Sequence, residues 1–64
     1  MIELKEKEVL IAGYTAKGMT TQQIAELMCL SPETIKWYRK RMLRKTNSAN
    51  IAELIAKLKD ENVL

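Results

Sequence analysis

Histidine is absent from the chain, and cysteine occurs once, as Cys29. A lone cysteine closes no internal disulfide, and such usage fits a reducing cytoplasmic interior. Cys29 with carboxylates alone is a poor ligand set for zinc, so neither a metal nor another cofactor is expected. Phenylalanine is also missing, and aromatic character rests on Tyr14, Trp37 and Tyr38. No apolar run approaches the roughly 20 residues that span a bilayer. Glu3, Lys5, Glu6, Lys7 and Glu8 interrupt any secretory-signal pattern at the N-terminus. No nucleophile–base pair or metal cluster stands out, so an enzyme is not expected.

The 64 residues suffice for one domain, 1–64, with a thin core. Such a domain works with its outer surface rather than with a deep cleft. Its net charge is +3, but the charge is unevenly spread. Residues 1–33 carry three lysines and five glutamates, for −2. Residues 34–50 carry Lys36, Arg39, Lys40, Arg41, Arg44 and Lys45 with no acid, for +6. Residues 51–64 carry Lys57 and Lys59 against Glu53, Asp60 and Glu61, for −1. A basic block between mildly acidic flanks suits a polyanion-binding element, and equally a solvated helix face.

Alternating apolar and polar runs of the strand type are missing, whereas four helical patterns follow one another across short breaks. The first is predicted over about 4–17. Leu4, Glu8, Ile11, Ala12 and Thr15 share one stripe, Gly13 weakens the middle, and Gly18 supplies the stop. The second is predicted over about 21–28. Thr20 is its N-cap, Gln23 completes a capping box, and Ile24, Leu27 and Met28 form its apolar face. The third spans about 32–45, with Ser31 as N-cap, Pro32 in the first turn and Glu33 at the positive end of the dipole. The fourth spans about 50–60 behind the cap Asn50, with Ile51, Leu54, Ile55 and Leu58 on one face. Between the second and third patterns lie only Cys29, Leu30 and the cap, a tight turn that implies two helices crossing at a large angle.

Stepping about 100° per residue along the third helix puts Ile35, Tyr38, Met42 and Thr46 on the core side. Lys36, Trp37, Lys40, Arg41 and Arg44 fall opposite. The B-DNA major groove admits one helix, and these cations can donate to guanine N7 and O6 or to phosphates. Trp37 can pack on a thymine methyl or a sugar edge. Thr34 and Tyr38 lie at the rim, where hydroxyls suit phosphates, and the helix start at Thr21 and Gln22 offers amides to them. A basic face is also compatible with an anionic membrane or an acidic protein. The exposed tryptophan and the tight turn favour nucleic acid, and double-stranded DNA over the deep, narrow groove of RNA.

The ordered pieces Leu4, Lys7-Glu8, Ala16, Gly18, Ile24-Ala25, Ser31-Pro32, Thr34-Ile35-Lys36, Arg44-Lys45, Asn50 and Ala52-Glu53-Leu54 resemble the LuxR/GerE-type helix-turn-helix domain, the FixJ/NarL-like kind, over about residues 4–55. The resemblance implies an all-α domain of four helices whose third reads the major groove. It implies sequence-specific DNA binding in regulation of transcription. By position, Lys36, Trp37 and Lys40 match base-contacting sites, while Thr21, Thr34, Tyr38, Arg39 and Arg44 match backbone-contacting ones. Gln22, Arg41 and Lys45 join the expected backbone contacts. Ile51, Leu54, Ile55 and Leu58 match a homodimer face, although the same stripe could simply close the core.

Cys29 stands where glycine is frequent, Thr46 where leucine is usual, and Trp37 and Tyr38 replace smaller residues or histidine. Val9 and Leu10 fall where charges are common and are expected near the surface. Members of the family are usually output domains behind a receiver or sensor domain, so the chain is expected to be either freestanding or such a C-terminal piece, cytoplasmic and nucleoid-associated. Two other readings compete. One is a promoter-recognition domain of a sigma-type factor, which would bind RNA polymerase. The other is a protein-interaction module whose basic helix meets an acidic partner.

Overall fold

The computed structural model describes residues 3–64, and among them lie four helices and no strand. They are α1 (Glu6–Ala16), α2 (Thr21–Met28), α3 (Pro32–Lys45) and α4 (Ile51–Asp60). The predicted limits hold for α2 and α3, and α4 follows its cap Asn50. Helix α1 begins two residues later than expected. There the Glu8 carboxylate accepts the Lys5 amide at 2.9 Å, which ends the extended lead-in and satisfies one of the free N–H groups of the first turn.

Side-chain caps start the other three helices. Thr20 Oγ1 accepts the Gln23 amide at 3.1 Å while Gln23 Oε1 accepts the Thr20 amide at 2.9 Å, a complete capping box. Ser31 Oγ accepts the Thr34 amide at 3.2 Å, and Asn50 Oδ1 accepts the Glu53 amide at 2.8 Å.

All four helices stop the same way. Gly18, Cys29, Asn47 and Asn62 each take a left-handed backbone, with φ of 89°, 56°, 53° and 58°. The following amide then bonds back to the helix: Met19 to Tyr14, Leu30 to Ala25, Ser48 to Leu43 and Val63 to Leu58. This is the Schellman arrangement. Glycine and asparagine tolerate the conformation, whereas cysteine bears a Cβ penalty there. Met19, Leu30 and Val63, the residues that turn the chain, also pack on the core.

The core takes two residues from each helix: Ile11 and Ala12, Ile24 and Ala25, Ile35 and Met42, Leu54 and Leu58. Helix α3 packs against α1, α2 and α4. Ile35 and Met42 are therefore its inward anchors, as the helical phase predicts. Thr46 continues that inward line at the end of α3. Its Oγ1 donates to the Met42 carbonyl at 2.9 Å, so its hydroxyl is satisfied where leucine would have been purely apolar.

The apolar stripe of α4 splits in two. Leu54 and Leu58, expected at a dimer face, are buried in the chain's own core. Burying a leucine side chain is worth about 2 kcal/mol, and a domain this small spends its best apolar residues on itself. Ile51 and Ile55 remain half-exposed. On α2 the expected inward Leu27 is instead 55% exposed. Ile24, Ala25 and Met28 already fill that helix's contact with the core, and Leu27 lies off their arc. Leu10 is 43% exposed and Val9 half-buried, in line with the expectation for those positions.

Candidate nucleic-acid interface

Helix α3 is launched by Ser31, Pro32 and Glu33 and held by Ile35 and Met42, so its opposite side is left free. Lys36, Trp37, Lys40 and Arg44 are exposed there, and Arg41 lies half-buried beside them. Among the described residues no ion pair engages Lys36, Lys40 or Arg44. Trp37 is 53% exposed at the middle of this cationic face. Shallow grooves run along both flanks of its ring, one bordered by Lys40, Arg41 and Arg44, the other by Glu33, Lys36 and Lys40.

The indole is not loose. The guanidinium of Arg41 lies over it at 5.3 Å from the ring centroid, within cation–π range. Tyr38 meets it edge-on, with centroids 5.0 Å apart and planes at 74°. The three residues expected to read bases thus share one surface.

The expected backbone contacts divide. Arg44 and Gln22 are exposed and Tyr38 half-exposed. Thr34 is half-buried, with its hydroxyl 2.9 Å from that of Ser31. The remaining members turn toward the protein itself. Arg39 donates from Nη1 to Thr21 Oγ1 at 2.9 Å and reaches Thr15 Oγ1 at 3.5 Å, which ties α3 to the starts and ends of its neighbours. Lys45 Nζ lies 2.9 Å from Glu8 Oε1, and Arg41 Nε lies 3.6 Å from Glu8 Oε2.

Glu8 is the residue that sequence reasoning missed as a partner of this face. It is fully buried on the inner stripe of α1. Burial by itself raises the pKa of a carboxyl, but here the Lys5 amide, the Lys45 ammonium and the Arg41 guanidinium together outweigh it. They hold the group below the ordinary carboxylate range, so it is ionised at neutral pH. The clues were present in the chain: an acid on a core stripe requires a cation opposite. The helical phase of Lys45 and Arg39 also puts them at the two edges of the inward arc of α3, not on its outer side.

At the far end of α3, Lys57 on α4 donates to the carbonyls of Thr46 and Asn47 at 2.8 and 2.9 Å. It satisfies helix-end acceptors and complements the negative end of the dipole. Position and orientation of α3 are therefore set from both ends. No helix among the described residues is long and apolar enough to cross a membrane.

Residues 3–58 match the model of a family described as bacterial regulatory proteins, luxR family. Over 60 residues the chain is 35% identical to BvgA, described as a regulator of transcription of virulence factors, from Bordetella pertussis. That stretch is 94% of this chain and 29% of that protein. It is 36% identical over 53 residues to the tetrathionate response regulatory protein TtrR of Salmonella typhimurium, covering 83% of this chain and 26% of that protein. It is 34% identical over 61 residues to the fimbriae Z protein of the same organism, covering 95% and 29%. The chain thus spans under a third of the length of these curated relatives. No solved structure matches it. With four capped helices, a tight α2–α3 turn and a family match over nearly its whole length, the chain belongs to the luxR family of bacterial regulatory proteins.

Proposed function

We propose that this domain binds double-stranded DNA sequence-specifically by inserting α3 into the major groove, and so regulates transcription. Lys36, Trp37 and Lys40 contact base edges. Arg44, Gln22, Thr34 and Tyr38 contact the phosphate backbone, with Arg41 and Lys45 adding positive potential beside it. Arg39 and Thr21 act through each other, fixing α2 against α3 so that the start of α2 approaches the same backbone.

One observation carries the reading: the cationic side of α3, centred on an exposed tryptophan, is covered by no other part of the fold among the described residues. Lysines at this density repel one another and are stabilised by a polyanion, which releases condensed counterions on binding. The relatives' names point to the same class, since BvgA and TtrR are named as regulators.

The half-exposed Ile51 and Ile55 on α4 serve as the contact between two copies, which would present two α3 helices to a two-fold symmetric site. An upstream receiver or sensor domain would control that pairing, and RNA polymerase would be the downstream partner. The domain acts by binding, with no chemical step, in the cytoplasm at the nucleoid.

Selection from a random duplex pool tests the reading. Enrichment of palindromic half-sites, bound with an affinity that falls steeply as salt rises, is the expected result. A pool with no enriched sequence refutes groove reading, and capture of an acidic protein without any band shift on DNA would replace it with a protein-interaction module.

A further inference from the structure

We propose that Glu8 is a positioning residue for recognition: from inside the fold it holds Arg41 across the face of Trp37 and so presets the ring that reads DNA. The inference rests on the groove reading above.

The carboxylate has two unequal halves. Its Oε1 is saturated, accepting the Lys5 amide and the Lys45 ammonium, each at 2.9 Å. Its Oε2 is buried and has no hydrogen-bond partner. The Nε of Arg41 stands 3.6 Å from that oxygen. A buried carboxylate oxygen without a hydrogen bond attracts the cation within its reach, and here that cation is Arg41.

Arg41 is thereby gripped from two sides. Glu8 draws its Nε inward while its guanidinium carbon lies 5.3 Å from the Trp37 centroid. Four residues apart on one helix, Arg41 and Trp37 are neighbours on its surface. Tyr38 adds an edge-on contact to the indole, with centroids 5.0 Å apart. A chain of contacts therefore runs from the first turn of α1 to the exposed face of α3. Released from Glu8, Arg41 would swing toward solvent and toward any phosphate. The indole would then lose its restraint, and ordering it on DNA would cost binding free energy that a preset ring does not.

This predicts an unusual pair of effects for Glu8→Gln. Glutamine has the same length, and at the third position of a helix it can still accept the Lys5 amide, so the cap survives. Trp37 is the chain's one tryptophan, so its fluorescence reports this ring alone. In the folded variant the emission should shift to longer wavelength and acrylamide quenching should rise, with no DNA present. With DNA, preference for the selected site over random duplex should fall about fivefold, the scale of one lost cation–π restraint. Affinity for random duplex should rise, and its salt slope should steepen by about 0.9 for each of the two cations, Arg41 and Lys45, that Glu8 no longer holds and that then reaches a phosphate. Simple loss of stability lowers both affinities and cannot produce this opposition.

Arg41→Lys is the second variant. It keeps the charge but loses the planar guanidinium, and should shift Trp37 emission as Glu8→Gln does, with the double variant adding nothing more. Unchanged Trp37 emission in folded Glu8→Gln overturns the proposal, as does changed emission with an unchanged preference between duplexes. Should Glu8→Gln fail to fold, an unchanged emission in Arg41→Lys overturns it. If the unmodified domain binds neither duplex, the groove reading fails on its own, and the emission measurements alone decide whether Glu8 positions the ring.

Discussion

The Nζ of Lys45 donates to the Oε1 of Glu8 at 2.9 Å, joining the last turn of α3 to the first turn of α1 across 37 positions of sequence. The pair makes the orientation of α3 depend on one buried charge. Burial of the carboxylate is costly in isolation, and its two cations and the Lys5 amide offset that cost.

Stability should therefore fall in acid. The Glu8 pKa is lower in the folded domain than in the unfolded chain. Its contribution is fully present above the unfolded value and is lost as pH falls through the folded value. Glu53, bonded to Lys57 and the Ala49 amide, is shifted in the same direction. Urea melts from pH 7 down to pH 3 should show a falling midpoint below about pH 5, and Glu8→Gln should flatten that dependence. An equally steep acid loss in the variant would assign the effect to other carboxylates.

The exposed cations should separate into two kinds by competition binding on selected and scrambled duplexes. Replacing Lys40 with alanine should cost about 1–3 kcal/mol on the selected site and little on the scrambled one. Replacing Arg44 should weaken both by similar factors and reduce the salt slope by about 1. Normal binding by the Lys36→Ala/Lys40→Ala double variant would remove this face from the contact.

Cys29 offers a stabilising change. It closes α2 in a left-handed conformation with φ of 56° and is exposed. Glycine adopts that conformation without a Cβ clash, so Cys29→Gly should stabilise the domain by about 1 kcal/mol, seen as a higher thermal midpoint. Asn47→Gly should gain less, because asparagine already tolerates the same backbone. A lower midpoint for Cys29→Gly would show that the thiol, not the backbone, matters at the turn.

Ile35→Ala should be close to fatal. Ile35 is fully buried on α3 within a core of eight side chains drawn from all four helices. Such truncations cost about 2–5 kcal/mol, and a domain of this size has little more than that in total. Circular dichroism of the variant should show most of the helical signal lost at 37 °C, whereas Lys36→Ala, one position along and exposed, should leave it intact.

Helix limits and starts were readable because they depend on neighbours in the chain. Thr20 with Gln23, Ser31 with Pro32, and Asn50 with Glu53 act over three residues, and their bonds form wherever the chain turns helical. The inward phase of α3 was readable for the same reason, since Ile35 and Met42 repeat at the helical period. Leu27 misled because a short amphipathic helix has more apolar residues than its contact with the core can cover. For Leu54 and Leu58 the family resemblance points to a partner and the apolar stripe equally allows core closure, because periodicity shows that a face is apolar without showing what lies against it. In the fold both are buried in the chain's own core.

Residue order alone settled the four rods, the caps of the last three, the stop at Gly18, and the concentration of positive charge on the third rod. These are short-range matters of backbone sterics and hydrogen bonding. Which cations stay outside was decided only when the rods packed. Lys45 and Arg39 are engaged by the fold because Glu8, Thr15 and Thr21 came to lie within their reach, while Lys36, Lys40 and Arg44 meet no such groups among the described residues. A charge's availability is a property of its surroundings, and those are assembled from distant parts of the chain.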